Sequence, residues 1–400
     1  MTTFKFHMRP LHLTLGIFGL WHSAKNDKVE PGLEKSGNNK EFVKPRFFFR
    51  LLRVYCIFIC CLLTLNVLRY IPSFWVGNDF VPGLTALRVV ILLWYTQNAI
   101  SAIVIFVFFD NKDHFQKYTE QYNRVISDQI SKRLKTNPGC QIIRRCMIRN
   151  LVVGWSIVIF NSLLVASLIF VDIVPAFVVA TCNPMSYTSG LVKLLVCFIQ
   201  FLNSGVWIFP IVLHYTLTTA IQLRFEELNG LIENIALDKC DDRFEIVKNV
   251  RQKHLQLCKM VETVDQSLSY YVANMYTANI ALACFIAYNM INGFSKSISI
   301  PETITLSFWL ASSFFILFII SKKSATLHEK AHDLSSLIMD INLEGATIQD
   351  IAQINLLVAK LHGPSVGLSV LGIITITKEM ILTLAGLFLT YFFLLVQFRI

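Results

Sequence analysis

Charge is what this 400-residue chain has least of: Asp, Glu, Lys and Arg make up 16% of it, against about 25% in an ordinary soluble domain. Acid is scarcer than base, with 26 carboxylates against 36 basic side chains and a net charge of +10. The chain also lacks a G-x-S-x-G elbow, a P-loop and a Gly-rich dinucleotide fingerprint, which removes the common hydrolase, nucleotide and cofactor readings. Of ten cysteines, only Cys182 falls in a predicted outer loop, so no disulfide framework is expected. What is present is apolar surface. Hydrophobic residues are 54% of the chain, with mean hydropathy +0.55. An all-α membrane protein follows, and the excess base reports orientation rather than a nucleic-acid partner.

About 20 mostly apolar residues cross a bilayer. Seven stretches qualify as transmembrane helices: Val54–Leu68, Val89–Phe109, Leu151–Val171, Leu191–Leu217, Tyr270–Ile291, Thr303–Ser321 and Met380–Phe398. The first is short unless it extends to about Phe74. Leu11–Trp21 is too short to span, so the first span acts as the insertion signal. Ser365–Ile376, rich in Gly and Ser, is expected to be a surface or re-entrant half-helix. Thirty-one Lys and Arg lie on one side of the seven spans, and only Arg69, Arg88, Lys193, Lys296 and Arg399 on the other. Positive-inside logic then predicts a cytoplasmic amino terminus and an extracellular carboxyl terminus. That is opposite to a G-protein-coupled receptor. Its look-alike motifs, Asn183-Pro184-Met185-Ser186-Tyr187 and Asp242-Arg243-Phe244, sit in the wrong places, and no inner tail follows the last span, so no G protein is expected.

Four inner segments carry apolar spacing of three and four: Ile221, Phe225, Leu228, Ile232 and Ile235; Val250, His254, Leu257, Val261, Val264 and Leu268; Leu327, Ala331, Leu334, Ile338 and Ile341; Ile351, Ile354, Val358 and Leu361. Such stripes must be buried, and together they predict a cytoplasmic helical bundle. The spacing leaves open whether they pack within one subunit or join several. His254, on a stripe, is read as a satisfied core histidine. Asn137-Pro138-Gly139 is a turn signal between two helices.

One motif carries enzyme chemistry. His328-Glu329-Lys330-Ala331-His332 matches H-E-x-x-H, which on a helix places two imidazoles and a general base on one face for zinc. A membrane zinc metalloprotease is therefore an alternative. Against it, Ala331 belongs to a packing stripe, and none of Asp340, Glu344 and Asp350 is marked as a third ligand. No metal and no enzyme activity are expected.

The last span has one polar seam: Thr383, Gly386, Thr390, Leu394 and Gln397 recur at helical spacing. Polar groups in lipid face protein or water, so the seam is either a packing face or a pore lining. The ending Thr390-Tyr391-Phe392-Phe393-Leu394-Leu395-Val396-Gln397-Phe398, with Gly372 and Gly386 upstream and the Arg251-x-x-His254 region before span five, resembles the animal gustatory receptor family, relatives of insect odorant receptors. The family motif is carried by Thr390, Tyr391, Gln397 and Phe398. The resemblance implies a ligand-gated, poorly selective cation channel in the plasma membrane, opened by a small-molecule tastant or metabolite without cofactor. It further implies a homotetramer, or a heteromer with related subunits, with a non-conducting co-subunit as a further alternative. Thr383, Gly386, Thr390, Leu394, Gln397 and Phe398 would line the pore, closed by dewetting at its hydrophobic ring. Two departures stand out. Thr377 replaces a frequent acidic residue but preserves capping chemistry, and Arg399 places a charge at the pore mouth.

The outer halves of the spans offer aromatic walls with a few amides, the composition of a small-molecule pocket. Trp94, Gln97, Asn98, Gln200, Tyr288 and Trp309 are the candidate ligand contacts. The chain is thus divided into a cytoplasmic segment (1–53), six spans with the ligand pocket (54–321), anchor helices (322–376) and a pore helix (377–400), embedded in membrane lipid.

Overall fold

The computed structural model describes residues 4–22, 46–75, 82–110, 114–127, 138–170, 181–182, 185, 189–237, 243–294, 300–341 and 343–397. In order these form α1 (Phe4–His7), α2 (Arg9–Ile17), α3 (Arg46–Tyr70, continued by a 3-10 turn Ile71–Phe74), α4 (Pro82–Asp110), α5 (His114–Ser127), α6 (Pro138–Phe170) and α7 (Gly190–Leu237). There follow α8 (Arg243–Phe294), α9 (Ile300–His332), α10 (Leu334–Met339), α11 (Ile348–Leu361), strands β1 (Ser369–Val370) and β2 (Ile374–Thr375), and α12 (Lys378–Gln397).

Helices dominate because a backbone in hydrocarbon must satisfy its own N–H and C=O groups. Among the described residues, six helices are long and apolar enough to cross a membrane: those covering Arg50–Phe74, Leu87–Asp110, Gln141–Phe170, Gly190–Glu233, Phe244–Ile291 and Ile300–Met339. The first six sequence spans fall inside them but for Val171, which lies outside the described residues, and the first does run on to Phe74. α12 has 20 residues, about 30 Å of helix, the thickness of a hydrocarbon core. α7 and α8 have 48 and 52 residues, about 72 and 78 Å at 1.5 Å per residue. Each overshoots the membrane by more than its thickness.

The overshoot builds a helical bundle at one end. There α7, α8, α9, α10 and α11 pack together, burying the stripes from Ile221 to Ile232, from Val250 to Leu268 and from Leu327 to Ile341. The side chain of Ile235 lies outside the described residues. His254 is a core residue: Nε2 donates to the Ala331 carbonyl at 3.0 Å, and Cys258 Sγ lies 3.5 Å from Nδ1. In α11 the register differs from the sequence reading. Ile354, Leu357 and Leu361 are buried, whereas Ile351 is 38% exposed. The buried face is centred on Ile354, Leu357 and Leu361, with Val358 half-buried at its edge and Ile351 beyond it. A Thr347–Asp350 capping box starts this helix, with Thr347 Oγ1 accepting from the Asp350 N–H and Asp350 accepting from the Thr347 N–H. The Thr347 hydroxyl, which donates to Asp350 Oδ2 at 2.6 Å, and then the Thr347 N–H hold the Asp350 carboxyl below the usual carboxylate range.

One segment departs from expectation. Ser365–Ile376 is no half-helix. It forms an antiparallel hairpin pairing Ser369 with Thr375 and Val370 with Ile374. Its loop needs left-handed backbone at Leu371 (φ 55°) and Gly372 (φ 72°), which a helix forbids and glycine permits. The amino-terminal helices, too short to span as expected, are part of the core. Phe4, Met8, Leu11, Leu15, Phe18 and Leu20 are all buried to within 1%. They wedge α2 between α6 and α7.

Candidate functional site

Away from the bundle, near the opposite end, a second apolar cluster surrounds a cavity. Each wall comes from a different helix: Trp94 from α4, Val165 from α6, Gln200 and Trp207 from α7, Ile286 from α8, and Trp309 from α9. The cavity has about 460 Å³ of empty space, of which about 30 Å³ admits the centre of a water-sized molecule. It is a narrow slot whose side chains must part for any larger guest.

A hydrogen-bond chain fixes the walls. Trp309 Nε1 donates to Asn161 Oδ1 at 3.0 Å, and Asn161 Nδ2 donates to Ser204 Oγ at 2.8 Å. Ser204 bonds the Gln200 carbonyl, and Gln200 Nε2 donates to the Tyr95 hydroxyl at 2.6 Å. Trp94 stands edge-on to Trp207 at 6.2 Å. Thr181 closes one side, held because Arg69 donates to the carbonyls of Thr181 and Cys182 at 3.3 and 3.2 Å. Among the described residues, Gln200 Oε1 and Trp207 Nε1 are buried without a hydrogen-bond partner. An orphaned acceptor and donor in one wall are costly unless a guest uses them. No wall residue is charged.

Three of the sequence-derived ligand candidates, Trp94, Gln200 and Trp309, meet in this cavity. The other three do not line it. Gln97 turns to α8, where Nε2 lies 3.1 Å from Met275 Sδ and its carbonyl accepts from Asn274. Asn98 is buried beside it with no side-chain hydrogen bond among the described residues, and Tyr288 is half-buried. Trp207 is a wall residue that sequence reading missed. It follows Gln200 and Ser204 at helical spacing, seven and three residues on, so its face was readable.

α12 has two faces. Leu384, Phe388 and Phe392 form its half-buried side, where Phe388 meets Phe314 of α9 edge-on at 4.7 Å. Thr383, Gly386, Thr390, Leu394 and Gln397 are all exposed. At 100° per residue the seam lies roughly opposite the packing stripe. Tyr391 is also exposed. Phe398 and Arg399 lie outside the described residues.

The start of α12 is tethered twice. Thr377 Oγ1 accepts from the Met380 N–H at 3.3 Å, the capping role expected of it. Ahead of it, Ser369 of the hairpin donates through its N–H and hydroxyl to the two Asp265 carboxylate oxygens of α8, at 2.6 and 2.7 Å. Lys378 pairs with Glu329 of α9. The H-E-x-x-H residues are occupied in this architecture. His328 Nδ1 donates to the Val366 carbonyl, His332 Nδ1 to the His328 carbonyl, and Glu329 holds Lys378. Among the described residues no group of three potential metal ligands assembles, so the zinc protease alternative has no support.

Comparisons with known proteins agree on the architecture. The insect olfactory receptor OR5 from Machilis hrabei superposes with a TM-score of 0.70 at 14% identity, covering 98% of this chain and 97% of that one. The same receptor in complex with eugenol gives a TM-score of 0.71 at 14% identity and the same coverage. No curated protein matches the chain by sequence. Residues 8–400 match the 7tm chemosensory receptors, and with nearly every described element accounted for, the chain belongs to that family.

Proposed function

We propose that this chain is a gustatory-type ligand-gated, poorly selective cation channel of the plasma membrane, with its amino terminus and helical bundle in the cytosol. The observation that carries the reading is the two-faced α12. Its stripe packs on its own subunit, while its polar seam, from Thr383 to Gln397, faces outward. Thr383 and Thr390 bond the Glu379 and Gly386 carbonyls of their own helix, but the Gln397 amide does not face lipid without cost. Copies of the helix around a shared axis would give the seam water. Exposed Ile348, Leu356 and Met339 at the bundle end are apolar surface that subunit contacts would cover. A homotetramer, or a heteromer with related subunits, fits both.

The ligand is read as small, uncharged and partly aromatic. The cavity offers aromatic walls, one free acceptor and one free donor, and no charge. A charged guest would lose its hydration with nothing to replace it. Trp94→Ala is expected to raise the half-maximal ligand concentration about tenfold, the order of ~1.5 kcal/mol that an aromatic contact contributes, and to leave single-channel conductance unchanged.

Whole-cell recording from cells expressing this chain, during application of uncharged aromatics, sugars, bitter alkaloids and amino acids, tests the proposal. The expected result is an evoked cation current whose selectivity or amplitude changes in Gln397→Ala. Measured ligand binding at the cavity, with surface expression but no current alone or beside a related subunit, would sink it.

A further inference from the structure

A second concavity lies at the bundle end of the membrane-spanning region, between α6, α7 and α9, and opens outward. It holds about 1340 Å³ of empty space, of which about 540 Å³ admits the centre of a water-sized molecule. Val153, Ile157, Ile211 and Phe315 wall most of its length, while Asn150, Lys322 and Lys323 close one end. Gly154 forms part of the floor. A Cβ there would come within 3.3 Å of Ile208 and Phe209, so a glycine keeps α6 and α7 close and the floor smooth.

The groove is therefore amphipathic along its axis. From Phe315 to Thr326 its α9 wall rises about 16 Å, half the ~30 Å hydrocarbon core. That is the depth of one leaflet. The polar end is basic. Lys322 is exposed, with Nζ 5.5 Å above the Phe318 ring. Lys323 bonds Gln222 Oε1 at 3.1 Å and lies 4.3 Å over the Tyr215 ring. Arg149 adds a third positive charge to the field at Lys323, which Glu226 partly offsets. Neither lysine forms an ion pair among the described residues. An apolar slot one leaflet deep, ending in two ammonium groups with no ion-pair partner among the described residues, matches one molecule type in both parts.

We infer that this groove is a binding site for an anionic phospholipid, one acyl chain lying against Val153, Ile157 and Phe315 and the phosphate resting on Lys322 and Lys323. A zwitterionic lipid would fill the walls equally but bring its own cation to the lysines. The site is separate from the ligand cavity and does not depend on the channel reading.

The test uses purified full-length protein, stripped of lipid and offered equal amounts of phosphatidylglycerol and phosphatidylcholine with identical acyl chains, with retained lipid counted by native mass spectrometry. Phosphatidylglycerol is expected to be retained at least fivefold over phosphatidylcholine. Lys322→Gln should lower that preference about fivefold, the usual weight of one basic residue near an anionic surface. Val153→Trp should reduce retention of both lipids by filling the slot. Both positions are exposed, so an unchanged size-exclusion profile is expected for each variant. Equal retention of the two lipids, or an unchanged preference in Lys322→Gln, overturns the inference. Full displacement by free glycerol phosphate overturns the acyl-chain part. Efficient disulfide cross-linking between copies in Val153→Cys also overturns it, because a second subunit would then occupy the groove.

Discussion

Asp265→Ala is expected to remove most of the ligand-evoked current while surface expression and ligand binding remain. Asp265 stands on α8, the helix that supplies Ile286 to the cavity wall. The two positions are 21 residues apart on one continuous helix, about 32 Å. At its lower point the carboxylate grips the hairpin that leads straight into α12 through two hydrogen bonds of 2.6 and 2.7 Å. Hydrogen bonds to a charged group contribute about 1.5–3 kcal/mol each, more than the other tether, the exposed Lys378–Glu329 pair, which is worth at most ~1 kcal/mol. If α8 moves when the slot widens, Asp265 is the point where that motion reaches the last helix. The measurement is a concentration–response curve beside a binding curve. A current loss of tenfold or more with unchanged binding supports the linkage, whereas parallel loss of binding and current would assign Asp265 to folding. Asp265→Asn should fall between, since it keeps one acceptor.

The second large effect is structural. Gly205→Leu is expected to abolish the monodisperse size-exclusion peak, or to lower its thermal midpoint by many degrees. A Cβ at Gly205 would lie 2.1 Å from the Phe18 ring, far inside contact distance. Phe18 has nowhere to go. It is fully buried and is enclosed by Trp155, Phe201 and Phe209 at ring distances of 5.1–5.5 Å. Overpacking of a dense core costs about 1–3 kcal/mol or more, and here the amino-terminal helix must leave its place. Phe18→Ala in the same background tests the cause. Partial rescue by the double variant shows that the clash is with Phe18, and no rescue shows that Gly205 is needed for another contact.

Much of this architecture was legible in the chain. Spans are visible because apolar length is imposed by the bilayer, and the stripes of α7, α8 and α9 because a bundle outside lipid must bury them. The α12 seam was visible as a period, but its choice between packing and exposure was not, because that depends on what α9 presents through Phe314. The hairpin escaped because its signal is conformational. Leu371 at positive φ leaves no mark in hydropathy, and Gly372 was legible only as a family glycine. Asp265 escaped because its partner is a backbone N–H 104 residues away, although it is the last carboxylate before a stretch without acid up to Glu302. The cavity was half legible. Trp94, Gln200 and Trp309 stand out as aromatic or amide residues on outer half-helices, but so do Gln97 and Asn98. Only the rotation of α4 against α8 separates the two groups.

The opposed faces of α12 have an evolutionary consequence. Residues that hold the helix to its own subunit, Leu384, Phe388 and Phe392, are not those of the seam. Gly386 has no neighbouring atom within 4 Å of an added Cβ, so even the smallest seam position can enlarge without disturbing the fold of one chain. In the proposed channel, seam residues are thus free to drift under selection on what passes, while the stripe is held by selection on folding. A lineage can change its physiology at five positions of one helix and inherit the scaffold unaltered.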